Sequence, residues 1–301
     1  MKSTLMMLAL LVSCFTFTAT ARADGFRSYI SPSGSDNRPC TRNQPCRTFD
    51  GAMAKTDDGG EIIALETSAY DPATVTKSIT LTAAPGADVL IKATSGNAVT
   101  VSTPNSSTVV LRGLKIAGPG KNSGSYGVLV DPQVITLALF IENCVISDFG
   151  TGIRALQVLS AQVVVSDSVI RNNTTGATFS IGGSDTMGAA VTRTRFERNL
   201  VGLSAAGGNV VAVKDSVAAS NQSGFLADGG RMTIFNSMAS KNSAGVETSG
   251  NGNITIAYST VTGNTVGFAA NGTIHSMGNN MVARNDIDLA NSPNVTIITG
   301  R

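Results

Sequence analysis

Short runs of alternating apolar and polar residues recur through the second half of the chain. From Ala189 to Thr273, four consecutive stretches read almost alike. Each contains two alternating apolar residues, a short turn, two more positions of inward-facing type and the motif Asn-x-x-Gly-apolar. A period of two is typical of a half-buried β-strand. The pattern therefore predicts short strands joined by tight turns, and no stretch here has the spacing of a helix.

The asparagines and glycines of this motif keep a nearly constant spacing. The asparagines are Asn173, Asn199, Asn221, Asn242, Asn264 and Asn285, at steps of 26, 22, 21, 22 and 21 residues. Three residues after the first five come Gly176, Gly202, Gly224, Gly245 and Gly267. A fixed period of this length, made of short strands, indicates a solenoid, because one coil cannot bury its apolar face without a neighbour.

Stacking the repeats places like residues over like. One predicted interior column is Ile170, Phe196, Ala218, Ala239, Val261 and Val282. A second is Cys144, Ser168, Thr194, Ser216, Ser237, Ser259 and Asn280, whose buried polar groups need partners on the adjacent coil. The asparagine column is expected to satisfy backbone groups at a corner while tolerating left-handed geometry. The glycines are expected to adopt a conformation closed to residues with a Cβ.

Rows such as NQSGFLAD and NSAGVETS resemble the right-handed parallel β-helix repeats of the pectin-lyase-like superfamily. The resemblance covers residues 60–301 and implies an all-β, right-handed parallel β-helix, here with a short N-terminal capping helix. A leucine-rich repeat is a poor alternative, since the leucine pattern is missing. The superfamily contains lyases, hydrolases, epimerases, adhesins and phage spikes, so the resemblance does not name a function.

Residues 1–23 are predicted to be a secretory signal peptide. They combine a lysine, an apolar core and the small-residue exit ARA, which favours a secreted or periplasmic location. The sequence LVSC at 11–14 also resembles a bacterial lipobox, so lipid anchoring through Cys14 is the alternative. No second apolar span follows, and no transmembrane segment is expected in the remaining chain.

Residues 24–59 are not repetitive and are predicted to cap the β-helix domain at 60–301. Cys40 and Cys46 enclose five residues in a chain predicted to be exported, so a local disulfide is expected. Two free thiols or a metal pair are the alternatives, but no other cysteine or histidine lies nearby to complete a metal site. Thr48 is expected to begin a short helix that covers the open sheet edge.

At the opposite end, the sequence NSPNVTIITGR supplies one more strand and no recognisable cap. That leaves an edge for a partner, a ligand chain or a second copy of this chain, so a homo-oligomer through the C-terminal end is one interpretation.

Charge and histidine content exclude several classes of function. Removing Lys2 and Arg22 with the signal lowers Lys+Arg from 22 to 20, against 20 Asp+Glu, so the mature chain has no net formal charge. It lacks the positive field that attracts nucleic acid.

His275 is the single histidine, which excludes Ser-His-Asp, Cys-His and multi-histidine metal sites.

In pectin-lyase-like enzymes the substrate usually lies along one sheet, and this resemblance implies that the Gly-apolar runs form the sheet that faces a ligand. The predicted outward rows are Arg154, Thr178, Ser204, Leu226, Glu247 and Ala269, and then Ser180, Ala206, Asp228, Ser249 and Asn271. The charged members Arg154, Asp228 and Glu247 are the weak catalytic candidates. Asp228 and Glu247 are expected on neighbouring coils, close enough to share a cation or a proton.

These three residues are few for catalysis. A β-eliminating lyase needs a base and cations that hold the developing charge, which the superfamily typically supplies as Arg or Lys with carboxylate-bound Ca²⁺. An inverting hydrolase needs paired carboxylates. The predicted function is therefore binding or structure, toward glycans or the cell envelope, without a cofactor or metal. The alternatives are a polysaccharide lyase or glycoside hydrolase, with Ca²⁺ only for the lyase, and an adhesive, self-assembling solenoid.

Overall fold

The computed structural model describes residues 25–104, 106–131, 134, 136–156, 160–180 and 188–298. Within them the chain winds as an all-β, right-handed parallel β-helix of about 10 turns, which confirms the predicted fold class. Each complete coil contributes one strand to each of three sheets, and every strand pairs in parallel with its equivalent on the neighbouring coil. Among the described residues sheet 1 has 12 strands and the other two sheets have 10 each. The predicted signal peptide and Cys14 lie outside the described residues.

The strand bounds follow the repeat, coil by coil, in the described part of the chain. Sheet 1 consists of β1 Arg27–Ile30, β2 Gly60–Ala64, β5 Ile79–Ala83, β8 Ser107–Arg112, β11 Thr136–Glu142, β14 Ser160–Ser166, β17 Gly188–Thr192, β20 Val210–Lys214, β23 Arg231–Phe235, β26 Asn253–Ala257, β29 Thr273–Met277 and β32 Val295–Ile298. Sheet 2 consists of β3 Ser68–Tyr70, β6 Val89–Lys92, β9 Leu114–Ala117, β12 Val145–Ser147, β15 Val169–Arg171, β18 Arg195–Glu197, β21 Val217–Ala219, β24 Met238–Ser240, β27 Thr260–Thr262 and β30 Met281–Val282. Sheet 3 consists of β4 Ala73–Val75, β7 Val99–Val101, β10 Tyr126–Val130, β13 Thr151–Leu156, β16 Thr175–Ser180, β19 Val201–Ala206, β22 Ser223–Asp228, β25 Ala244–Ser249, β28 Val266–Ala270 and β31 Ile287–Ala290.

The interior is a set of stacked columns, as the repeats predict. Ile170 pairs with Phe196, Phe196 with Ala218, and so on along sheet 2, with each side chain buried until the partly buried Val282. The hydroxyl column is satisfied in the same way. Ser216 Oγ accepts a hydrogen bond from the Thr194 N–H at 3.2 Å and donates to the Lys214 carbonyl at 2.8 Å.

The asparagine column is a continuous ladder of side-chain amides. Asn221 Oδ1 accepts hydrogen bonds from the backbone N–H and the Nδ2 of Asn199, at 2.9 and 3.2 Å. Its Nδ2 donates to the Phe196 carbonyl at 3.0 Å and to Asn242 Oδ1 at 3.0 Å. The same pattern links Asn173 through Asn285. The ladder thereby pairs backbone groups that the corner takes out of the sheets.

The expected left-handed geometry of these asparagines is wrong. Positive φ falls instead on the residue before each one, namely Asn172, Arg198, Ser220, Lys241, Gly263 and Arg284. A left-handed residue with a Cβ costs about 1–2 kcal/mol. The turn demands that conformation whatever the side chain is, and the buried amide one residue later holds the turn in place.

The ladder glycines are also needed for a different reason than expected. Their φ angles are not positive. A Cβ on Gly202 would lie 2.5 Å from the carbonyl oxygen of Gly224, and one on Gly224 would lie 2.5 Å from that of Gly245. The glycines allow the backbones of consecutive coils to approach closely beside the asparagine amides.

The N-terminal segment closes the first coil. Cys40 and Cys46 form the disulfide. Helix α1, Phe49–Met53, starts at Thr48, whose hydroxyl accepts a hydrogen bond from the Gly51 N–H at 2.9 Å. Asp50 accepts one from the Thr74 N–H of β4 at 2.7 Å, so α1 supplies a partner to the first strand of sheet 3.

This segment also takes part in the solenoid itself. Strand β1 is the first strand of sheet 1 and pairs in register with β2, so sheet 1 begins 33 residues before residue 60, at Arg27. The described helices are all too short to cross a membrane.

Cys144 is expected to resist alkylation in the folded protein. Burial raises the pKa of its thiol from 9.0 to about 11, so the reactive thiolate is scarce at neutral pH. Iodoacetamide labelling followed by peptide mapping should modify Cys144 only after unfolding. The folded state favours the neutral form of the Cys144 thiol. Burial of this neutral thiol therefore stabilises the folded protein below pH 9.0, and the stabilisation is lost as the pH rises through about 11. Rapid labelling of the native protein would contradict the burial.

Replacing Asn221 with Ala is expected to destabilise the protein by about 1–3 kcal/mol, because it leaves buried backbone groups unpaired. Asn271 is the control, since it is exposed and Asn271→Ala should cost less than about 0.5 kcal/mol. Urea unfolding followed by circular dichroism measures both. Equal losses at the two positions would contradict the ladder.

Replacing Gly224 with Ala is expected to cost about 1–3 kcal/mol, because the added methyl collides with a backbone oxygen that the stack holds in place. Gly188 begins β17 with nothing within 4 Å of an added Cβ. Gly188→Ala should therefore stay within about 0.5 kcal/mol of the wild type in the same unfolding experiment. A tolerated Gly224→Ala would show that the coils can move apart.

Candidate functional site

A groove of about 460 Å³ lies on sheet 1 and one of about 440 Å³ lies on the outer face of sheet 3. The groove on sheet 3, here called the sheet 3 groove, crosses four consecutive coils. Its lining consists of Thr151, Arg154, Thr175, Thr178, Ser180, Val201, Ser204, Ala206, Leu226 and Asp228. The lining is rich in hydroxyl groups, which can both donate and accept hydrogen bonds.

Strand register produces this groove. Arg154 pairs with Thr178, Thr178 with Ser204, Ser204 with Leu226, and Leu226 with Glu247, so these residues form one outward row. The side chains in the middle of the row are small. Small groups between the larger residues at both ends leave a depression along the solenoid axis.

Arg154 lies at one end of the groove and is held by an aromatic residue of the preceding coil. Its Nη1 donates to the Tyr126 hydroxyl at 2.7 Å, and its guanidinium carbon lies 4.9 Å from the centre of the Tyr126 ring. This contact uses one of five guanidinium N–H donors. Within the described residues no carboxylate forms an ion pair with Arg154, so its charge is available to a ligand.

Asp228 lies at the other end. It is exposed, and its Oδ1 accepts a hydrogen bond from the Ser249 hydroxyl at 2.6 Å. Three coil steps separate Asp228 from Arg154, and this corresponds to a distance of about 14 Å along the solenoid axis. The two charges therefore bracket the groove without forming a pair.

Glu247 is on the neighbouring coil but outside the lining of the groove. It pairs in register with Leu226, whereas Asp228 pairs with Ser249, so the two carboxylates are offset along their strands. Glu247 accepts its hydrogen bond from the Ser223 hydroxyl at 2.5 Å. Each carboxylate thus has its own serine donor. Across the described residues, no group of three His, Cys, Asp or Glu side chains could hold a metal ion.

Sequence reasoning missed the role of Tyr126. The insertion at 118–125 lengthens the step from the preceding coil, from Val99 to its partner Val128, to 29 residues, which hides the repeat. A weaker signal was present, because Tyr126-Gly127-Val128 and Thr151-Gly152-Ile153 share the x-Gly-apolar pattern. The structure pairs Tyr126 with Thr151 and Val128 with Ile153.

The larger depression, on sheet 1, offers less free charge. It measures about 460 Å³ and is lined by Glu61 and Arg112 among mostly backbone and small apolar groups. Glu61 is paired with Arg27 at 3.1 Å, and Arg112 with Glu142 at 2.8 Å. The sheet 3 groove is the better candidate because its cation, Arg154, has no ion-pair partner among the described residues.

Comparison with known proteins supports the fold. The family model described as "Right handed beta helix region" matches residues 97–287. A rhamnogalacturonan lyase of known structure is 14% identical over 90% of this chain and 86% of its own, with a TM-score of 0.60. Pectate lyase Pel9A is 15% identical over 83% and 68%, with a TM-score of 0.44. Pectin methylesterase PemA from Erwinia chrysanthemi is 9% identical over 90% and 92%, with a TM-score of 0.44. No curated protein matches the sequence. At these identities the likeness concerns the fold alone.

Proposed function

The chain belongs to the right-handed β-helix family, and on that premise we propose that it is an exported protein that binds an acidic polysaccharide in the sheet 3 groove. The observation that carries the proposal is the unpaired cation of Arg154 at one end of a row of hydroxyl groups. A long groove on a stack of regular strands suits a linear polymer whose units repeat along the solenoid axis.

The charges of the groove favour a particular kind of glycan. A guanidinium binds a carboxylate through two parallel hydrogen bonds, so Arg154 suits the carboxylate of a uronate. Thr178 and Ser204 offer hydroxyl groups to neutral parts of the chain. Asp228 accepts hydrogen bonds from sugar hydroxyls and repels a second carboxylate. A polymer that alternates uronate and neutral sugars fits this arrangement better than a fully charged one.

Binding is better supported than cleavage. Inverting hydrolysis needs two carboxylates on opposite sides of the scissile bond, and Asp228 is the one carboxylate in the lining of the groove. Elimination needs a base next to groups that hold the developing negative charge. Arg154 and Asp228 are three coils apart and cannot act on the same sugar unit.

The proposed location rests on two features. The disulfide between Cys40 and Cys46 is typical of oxidising compartments, which include the periplasm and the extracellular space. The predicted signal peptide at 1–23 agrees with that chemistry. Export would also bring the groove into contact with envelope or extracellular glycans.

Replacing Arg154 with Ala is expected to weaken the binding of rhamnogalacturonan oligosaccharides about 10- to 100-fold, because a charge-assisted hydrogen bond contributes about 1.5–3 kcal/mol. Rhamnogalacturonan is the probe because its uronate and neutral sugars alternate. Calorimetry with the wild type, Arg154→Ala and Arg171→Ala gives the comparison. Arg171 is an exposed arginine on sheet 2, so its loss should leave the affinity unchanged.

A neutral galactan and the fully charged polygalacturonate are the two comparison probes, and both should bind more weakly than rhamnogalacturonan. An affinity for galactan equal to that for rhamnogalacturonan would contradict recognition of a carboxylate. In the same samples with Ca²⁺, the absorbance of unsaturated uronide product should stay constant. Its increase would contradict a binding role and support the lyase alternative, and Asp228→Asn would then test whether the sheet 3 groove carries the reaction.

A further inference from the structure

The two ends of the solenoid differ in how they are covered. At the N-terminal end, α1 buries Phe49, Ala52 and Met53 against the first coil, and Asp50 accepts the Thr74 N–H of β4. At the C-terminal end, the last described coil consists of β30, β31 and β32. Each of these is the outermost strand of its sheet, so one side of its backbone has no strand partner among the described residues.

The apolar interior is open at the last coil. Ile297 pairs with the buried Ser276, and Leu289 with the buried Phe268, so both take interior positions. Yet Ile297 is 63% exposed and Leu289 is 38% exposed, whereas Phe268 is 1% exposed. A depression of about 320 Å³ lies here, lined by these residues and Val295. An open sheet edge around exposed apolar residues needs a cover in water.

The end of the asparagine ladder indicates what kind of structure can pack on the last coil. Its last member, Asn285, donates from its backbone N–H and its Nδ2 to Asp288 Oδ1, at 3.1 and 2.9 Å. In each earlier coil of the ladder, from Asn173 onward, those donors bind the next asparagine, as Asn264 binds Asn285 at 3.0 and 2.8 Å. Asp288 therefore closes the ladder. A further coil stacked in the same register would find no free ladder donors, so the cover is not another repeat.

We propose that the cover is the same end of a second copy, related by a two-fold axis perpendicular to the solenoid axis. Such an axis reverses strand direction, so β32 of the two copies would pair antiparallel and join the two copies of sheet 1. Hydrogen bonds between the β32 edges satisfy the unpaired backbone groups. The interface is isologous, which is the commonest arrangement in homodimers. Ile297 and Leu289 of each copy become buried against the other.

The two-fold rotation brings opposite charges of the last coils of the two copies together. Arg284 and Asp286 are exposed at the corner between sheets 2 and 3, the corner that sheet 1 does not form. An axis through the middle of sheet 1 also passes through that corner and brings it against its own copy. Arg284 of one copy then faces Asp286 of the other, twice. A head-to-tail contact would instead set this corner against the N-terminal cap.

Sedimentation equilibrium of the purified protein over a wide range of concentration tests the proposal. A monomer–dimer equilibrium is expected for the wild type. Ile297→Glu should raise the dissociation constant of the dimer at least about 100-fold, because two buried apolar side chains become two like charges. Phe26→Glu is the matched control, since Phe26 is 53% exposed on the first coil and should not affect dimerisation. Circular dichroism confirms that both variants are folded.

A charge-swapped mixture tests the symmetry. Arg284→Asp and Asp286→Arg should each weaken the dimer when measured alone, because each places like charges across the axis. The double variant Arg284→Asp, Asp286→Arg should recover it. A wild type that stays monomeric at all concentrations would overturn the proposal, as would a dimer that survives Ile297→Glu or is lost with Phe26→Glu. A double variant as weak as the single ones would overturn the two-fold arrangement. Glycan binding in the sheet 3 groove is measured separately and does not depend on this result.

Discussion

The distance between consecutive coils at the asparagine corner constrains the repetitive part of the structure, from Asn173 to Asn285. Each ladder asparagine, such as Asn221, has its amide between backbone groups of two coils, and the glycine three residues later leaves room for the next backbone. The amide hydrogen bonds bring the coils together, and the absence of a Cβ lets them approach. A larger residue at the glycine would prevent the close approach, and a non-polar residue at the asparagine would remove the hydrogen bonds. In the coils from Asn173 to Asn285, the parallel pairing in all three sheets accompanies this one spacing.

A solenoid held in register in this way converts a short repeat into a long, regular surface. Because successive coils superpose, the polarity and charge of the sheet 3 surface at each coil are set by one or two outward side chains of that coil. Small residues in the middle of the outward row open the sheet 3 groove, and Arg154 and Asp228 mark its ends. The ion pair between Asp167 and Arg193 arises from the same superposition, at a corner rather than on a sheet. Surface chemistry can thus change from coil to coil while the interior stays the same.

The first and last described coils of the solenoid are covered differently. The N-terminal end has a helix that buries apolar residues and an aspartate that binds an edge strand. The C-terminal end terminates only the polar ladder, through Asp288, and leaves apolar residues such as Ile297 exposed. Polar closure without apolar closure is the arrangement expected of a surface that meets another protein surface. The sheet 3 groove and the open end occupy separate parts of the molecule.

The sequence by itself determined the repeat, and with it the fold, the interior columns and the outward row that contains Arg154 and Glu247. Periodicity suffices for this because residues at equal positions in equal coils must superpose. The tertiary structure alone decided which outward residues form a site. Tyr126, whose place in the repeat is hidden by the insertion before it, binds Arg154 of the next coil. Glu247 lies outside the groove lining, with its own serine donor and with a strand register offset from that of Asp228. The tertiary structure also decided which corner residue has a left-handed conformation, since the turn imposes that conformation on the position before each asparagine. Contacts between side chains of different coils depend on insertions, strand offsets and turn geometry, which a repeat period does not contain.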